Sequence, residues 1–181
     1  MKKVAITGSK GVIGSVLVKG LRDLEIVEID LPDTDVLNYE AFVLKLVGCE
    51  AIIHLAWKYA DPDSPEFLDS AKMFENALEA SREAGIKRVI LASSVHAGDG
   101  TSYGELKTKM ESLSKEYAEN NSIEIIAIRF GGVNREDVLL ENEEGYEKIW
   151  LRHNDCVAIM QKSIDAETVP GKFEIIYGVS K

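Results

Sequence analysis

The sequence predicts an α/β protein built on a doubly wound parallel sheet with helices on both faces, and three observations carry that expectation. Short apolar, β-branched runs alternate with longer segments of helical period along all 181 residues. A buried-strand run passes directly into Thr7-Gly8-Ser9-Lys10-Gly11-Val12-Ile13-Gly14 and then into an amphipathic helix. No repeat, low-complexity tract or linker interrupts the alternation, so a single domain over residues 1–181 accounts for the chain. Right-handed crossovers in this order most simply give the Rossmann arrangement, strand order 3-2-1-4-5-6.

The strand candidates are Lys3–Thr7, Ile26–Asp30, Ala51–Ala56, Arg88–Ser93, Ile123–Arg129 and Phe173–Tyr177. Between them lie helix candidates Val12–Asp23, Tyr39–Leu46, Pro65–Ala84, Tyr103–Asn120 and Asp155–Asp165. Ser64-Pro65 offers an N-cap followed by proline at the first helical position, and Ser102-Tyr103-Gly104-Glu105 reads as a capping box. Gly85 supplies a left-handed stop for the long third helix. Residues 131–150 are the least regular stretch and are expected as a loop over one end of the sheet. Residues 131–181 then supply a reduced substrate-side region.

Composition excludes several functions. A net charge of −10 argues against nucleic acid as the main partner, because neutralising phosphates needs a basic patch. Two cysteines, Cys49 and Cys156, provide neither metal-ligand spacing nor a disulfide framework, and no pair of histidines has ligand spacing, so no metal is expected. No apolar stretch reaches the ~18 residues of a membrane span, and Met1-Lys2-Lys3 leads straight into a strand, so a cytoplasmic protein without membrane contact is expected.

The glycine segment points to a dinucleotide. Glycines at a strand-to-helix junction let the chain turn tightly, let backbone amides approach a pyrophosphate and let the helix sit close to the sheet. The helix N-terminus then faces the phosphates with free N–H groups and its positive dipole end. Gly8, Ser9, Lys10, Gly11, Val12, Ile13 and Gly14 are therefore the candidate phosphate cradle. Asp30 ends the second strand, 22 residues after Gly8, where a carboxylate accepts from the adenosine ribose hydroxyls and repels a 2′-phosphate. NAD is favoured over NADP.

More residues fall in a recognisable order. The Gly-x-x-Gly-x-x-Gly spacing resembles that of short-chain dehydrogenases/reductases. His54-Leu55-Ala56 looks like the strand-end motif beside the cofactor in the extended branch (NAD-dependent epimerase/dehydratase), adding Leu55 and Ala56 to the cofactor set. Leu91-Ala92-Ser93-Ser94 resembles the strand bearing the catalytic serine, and Tyr103-Gly104-Glu105-Leu106-Lys107, followed by Glu111, the Tyr-x-x-x-Lys helix. Ser93-Ser94-Val95-His96, Trp150–Asp155 and Tyr177-Gly178-Val179-Ser180 are most similar to uronate dehydrogenases and related sugar dehydrogenases. The resemblance covers essentially the whole chain.

It implies an NAD-dependent dehydrogenase of a sugar or other polyhydroxy alcohol. Ser94 would hydrogen-bond the reacting oxygen, with Ser93 as the fallback because adjacent strand residues face opposite ways. Tyr103 would act as general base and Lys107, one helical turn on, would favour its phenolate; both would also touch the cofactor. By spacing alone Tyr103 and Lys107 read equally as an amphipathic surface pair. Trp57, Ser70 and His96 are the substrate-binding candidates, and Tyr59 with Trp57 could line the cleft or cover that sheet end; His54 and His153 read as structural.

Departures from the pattern matter as well. Only eight residues separate Ser94 from Tyr103, which predicts an open cleft, although the intervening steps still span about 30 Å. Ser70 falls where the family has an asparagine supporting a proton path. The arginine that grips a sugar carboxylate in uronate dehydrogenases has no clear counterpart near Gly145–Trp150; Arg135, Lys148 and Arg152 are either substitutes or solvated charges. Two alternatives stay open: a nucleotide-sugar epimerase or dehydratase, and a non-catalytic NAD(H) sensor. The resemblance further implies a homodimer through helices Pro65–Ala84 and Tyr103–Asn120, although Met73, Phe74, Leu78, Leu106, Met110, Leu113 and Tyr117 could equally be core.

Overall fold

Six parallel strands form one sheet in a computed structural model that describes residues 1–58 and 64–181. The strands are β1 (Lys2–Thr7), β2 (Leu24–Ile29), β3 (Ala51–His54), β4 (Arg88–Ser94), β5 (Glu124–Phe130) and β6 (Phe173–Gly178). The helices are α1 (Val12–Gly20), α2 (Tyr39–Leu46), α3 (Pro65–Glu83), α4 (Ser102–Asn120), α5 (Tyr146–Ile149) and α6 (His153–Asp165). The architecture is the expected doubly wound Rossmann sheet.

The strand order is β2-β1-β3-β4-β5-β6, which corrects the expected 3-2-1-4-5-6. Side-chain chemistry explains the difference. β2 reads Leu-Glu-Ile-Val-Glu-Ile, and its exposed Glu25 and Glu28 suit an edge, where charge discourages further pairing. β3 is Ala-Ile-Ile-His with every residue buried, which suits a position between two strands. The chain therefore steps outward from β1 to β2 and returns across β1 to β3. Right-handed crossovers then put α1 and α2 on opposite faces, α1 beside α6 and α2 beside α3. The reversal creates a switch point between the carboxyl ends of β1 and β3, where Thr7 is in register with His54.

Alternation along the central strands divides the core. Ala5, Ile52, Val89 and Ile125 pack one face with Phe42 and Phe74. Val4, Ile6, Ile53, Ile90 and Ile128 pack the other with Leu17, Leu151 and Met160.

Helix starts follow local chemistry. Ser64 Oγ accepts from Phe67 N at 3.2 Å with Pro65 behind it, as expected. Helix α4 begins one residue earlier than read. Its cap is Thr101, whose Oγ1 accepts from Gly104 N at 3.0 Å, so Ser102 is not the capping residue. Asp99 Oδ1 secures this cap by accepting from both N and Oγ1 of Thr101. The 131–150 stretch holds the single turn α5 and an isolated bridge between Gly132 and Trp150.

Candidate active site

A cleft of about 950 Å³ opens at the carboxyl ends of the strands, and most of the expected site residues line it. The loop from β1 to α1 forms its floor. Gly8 adopts φ +69°, and a Cβ there would lie 3.0 Å from Ala56 N and Leu55 C, because this turn touches the segment after β3. A Cβ on Gly14 would meet Gly8 O and lie 2.7 Å from Ser9 Cα, so only glycine lets α1 start this close to the loop. The N-cap of α1 is Gly11, with no side-chain cap and no acidic residue in the first turn. Its first N–H groups and dipole are left to face an anion.

Thr7 organises the opposite lip. Its Oγ1 accepts from Leu55 N at 3.1 Å and Ala56 N at 3.2 Å, and its proton goes to His54 Nδ1, 2.8 Å away. That pattern assigns His54 as the neutral tautomer with its proton on Nε2. Burial, then the charge of Lys107, pushes its pKa down to about 3. His54 is structural, as read from the sequence.

Asp30 stands at the adenosine end. Its Oδ2 accepts from Lys10 N and its Oδ1 from Leu31 N, both at 2.8 Å, leaving each oxygen a second lone pair for a ribose hydroxyl. Lys10 Nζ is engaged by Asp33 Oδ2 at 3.0 Å and Leu31 O at 2.9 Å. A 2′-phosphate would meet Asp30 without a free ammonium to offset it. The glycine cradle, the open α1 terminus and this carboxylate fit a dinucleotide lacking that phosphate. Ser9, within the same turn, is buried, and its Oγ has no partner among the described residues.

The middle of the cleft gathers Ser94, Tyr103 and Lys107. Lys107 is 3% exposed; its Nζ donates to Ala92 O at 3.1 Å and lies 3.8 Å from the Trp57 ring centre and 5.6 Å from that of Tyr103. Trp57 meets Tyr103 edge-on, with centres 6.1 Å apart. Desolvation dominates here and pushes Lys107 from 10.5 down to about 7, with Glu111 acting in the opposite sense. Glu111 helps little because its carboxylate already serves others. It accepts from Arg129 at 2.8 and 2.7 Å and from Ser93 Oγ at 2.5 Å.

That network separates the two serines. Ser93 also borders the cleft, but its hydroxyl proton is committed to Glu111. Ser94 Oγ accepts from His96 N at 3.2 Å, which leaves its O–H to donate. His96 lines the cleft and its Nδ1 is 3.1 Å from Asp99 Oδ2. Ser70 is fully buried behind the cleft-lining Lys58; its Oγ accepts from Lys58 N at 2.8 Å and lies 3.1 Å from Lys58 O. It pins the segment carrying Trp57 to α3. Tyr59 lies outside the described residues. His153 Nε2 is 2.7 Å from Asn134 O, a packing role as expected.

Sequence reasoning did not identify Thr7, Arg129 or the Gly131-Gly132-Val133 wall. The glycine pair directly after β5 was the available signal, since a Cβ on Gly132 would lie 2.8 Å from Tyr146 Cζ. Of the carboxylate-gripping candidates, Arg135 faces a separate cleft between α1 and α6, Arg152 is held by Asp155 at 2.9 Å, and Lys148 does not line the site.

Among known proteins, the model of the NAD dependent epimerase/dehydratase family matches residues 4–133. The uncharacterized protein YtbQ of Bacillus subtilis is 29% identical over 221 aligned positions, covering 99% of this chain and 86% of its own. An L-arabinose 1-dehydrogenase (NAD(P)(+)) of Haloferax volcanii is 26% identical, covering 92% of this chain and 84% of its own. The uronate dehydrogenase structure from Agrobacterium tumefaciens superposes with TM-score 0.81 at 22% identity, over 99% of this chain and 77% of that one, a likeness of fold. The alignment to YtbQ is longer than the 181-residue chain, so YtbQ carries internal stretches that this chain lacks. Among the described residues, no helix is long and apolar enough to cross a membrane.

Proposed function

We infer that this chain, which belongs to the NAD-dependent epimerase/dehydratase family, is an oxidoreductase that exchanges hydride between NAD and a sugar or related polyhydroxy alcohol. The observation that carries the reading is Lys107: an amine buried at the foot of a cleft, its pKa pushed to about 7, beside a tyrosine and a serine with a donor to spare. Active sites are where burial and neighbouring groups are arranged to perturb such side chains. The names of the L-arabinose and uronate dehydrogenases support the same class.

NAD, when bound, supplies the two-electron acceptor. The residues to hold it are Gly8, Gly11 and the first turn of α1 for the phosphates, and Asp30 for the adenosine ribose. Ser94 donates to the substrate oxygen, and Tyr103 takes the hydroxyl proton. The positive charge of Lys107 lowers the cost of the phenolate that Tyr103 must form.

In a spectrophotometric NAD+ reduction assay over a panel of aldoses, Tyr103→Phe is expected to retain about 1% or less of wild-type turnover. A mutant as active as wild type removes the mechanism. A second reading, an NAD(H)-binding sensor, is favoured by the buried Ser70 and by the Trp57 ring lying over Lys107. NADH binding without turnover on any substrate would establish it.

We also propose a homodimer through α3 and α4. Most of the apolar positions on these helices, Met73, Phe74, Leu78 and Met110, are core; Leu113 is 43% exposed and borders a groove with Tyr117. Sedimentation at micromolar concentration should give twice the 20.0 kDa chain mass, and a monomer there sinks the dimer.

A further inference from the structure

The charges around the cleft bear on which substrate it takes. Beyond Tyr103 its wall is made by Ser94, Val95, His96, Gly131, Gly132 and Val133, none of which is a permanent cation. Three lysines, Lys10, Lys58 and Lys107, also line the cleft, and each of them, like Arg129 behind it, already has partners. Lys58 Nζ is 2.5 Å from Asp69, and Lys10 Nζ is 3.0 Å from Asp33. Arg129 is held on two sides by Glu111, and the His96 ring faces Asp99. Lys107 is buried, its Nζ donating to Ala92 O at 3.1 Å and lying 3.8 Å from the Trp57 ring centre, so it is engaged beside Tyr103.

An anionic sugar entering this cleft would shed water from its carboxylate or phosphate without a cation to pair it. That cost is large when the group is desolvated. Asp30 and Asp35, at the other end of the same cleft, add repulsion. A neutral polyol asks only for hydroxyl and backbone partners, which Ser94 and the glycine wall offer. We propose that this site, on the dehydrogenase reading above, takes an uncharged aldose or polyol and rejects uronates and sugar phosphates.

Matched pairs test it on the full chain with saturating NAD+: D-galactose against D-galacturonate, and D-glucose against D-glucose 6-phosphate, each repeated with Tyr103→Phe. The neutral member of a pair is expected to show kcat/KM about 100-fold higher, the scale on which a site discriminates when a desolvated polar group goes unpaired. Turnover must vanish in the mutant. An anionic member oxidised as well as or better than its neutral partner overturns the proposal and leaves the dehydrogenase reading standing. No oxidation of any sugar, with NADH still bound, overturns both.

Discussion

Lys107→Met is expected to lower turnover by about 10²–10⁴-fold and, at the same time, to raise the melting temperature at pH 7. The two effects share one cause. The ammonium is 3% exposed and has one carbonyl, Ala92 O at 3.1 Å, and the face of Trp57 to replace its water. Glu111, the nearest carboxylate on the same helix, is spent on Arg129 and Ser93. Folding therefore penalises the charged form, and the pKa falls from 10.5 to about 7. Between those pH values the unfolded chain binds more protons than the folded one, so stability rises with pH across that window. The destabilisation is full below about pH 7 and fades toward 10.5. Methionine fills similar space without charge. A net relief of about 1–2 kcal/mol, after loss of the carbonyl and ring contacts, corresponds to a rise of about 2–8 °C for a chain of this length. Thermal melts of both proteins from pH 6.5 to 10 check the sign: the mutant's advantage should shrink as pH rises. An advantage independent of pH, or a mutant less stable at pH 7, removes the account.

Gly14→Ala should be the most damaging single methyl among the three glycines of the dinucleotide loop. The added Cβ would meet Gly8 O and lie 2.7 and 2.8 Å from Ser9 Cα and C, all backbone atoms that cannot rotate aside. Helix α1 has to move away from the loop, which costs about 1–3 kcal/mol of stability and carries its N–H groups off the pyrophosphate position. NADH affinity is expected to fall by about 100-fold or more, the equivalent of ~3 kcal/mol. Gly11→Ala is the control. Its Cβ lies 3.2 Å from Gly8 O, its φ is −67°, and it borders the cleft, so it should weaken binding while leaving the melting temperature nearly unchanged. Fluorescence titration with NADH and thermal melts separate the two variants. Equal melting temperatures for both would show that the close approach at Gly14 is not what holds α1 in place.

Local chemistry made much of the site readable in advance. The glycine turn and Asp30 are consecutive-residue signals, because a phosphate cradle is built from one strand, one turn and one helix end. Tyr103 and Lys107 share a face through the period of a single helix. Ser94 was readable only as one of two adjacent serines. The period of a strand says they face apart but not which face holds the cleft, and the choice fell to Glu111, eighteen residues beyond Ser93, through a 2.5 Å hydrogen bond. The burial of Ser9 and Ser70 was not legible either. Their positions in the chain match a ligand-binding pattern, whereas their burial depends on how tightly α1 and α3 pack against neighbouring loops.

The residue order alone was enough for the parallel α/β architecture, the position of the dinucleotide loop and the helix that carries Tyr103 and Lys107, since each depends on interactions within about one supersecondary unit. The sheet order, the hydrogen-bond partner of each serine and the pKa of Lys107 belong to the folded chain. They depend on which strands become neighbours, which carboxylate pairs with Arg129 and how much water is left beside the amine. Long-range packing decides such quantities, and they leave only indirect traces in sequence, such as the two glutamates that put β2 at the edge.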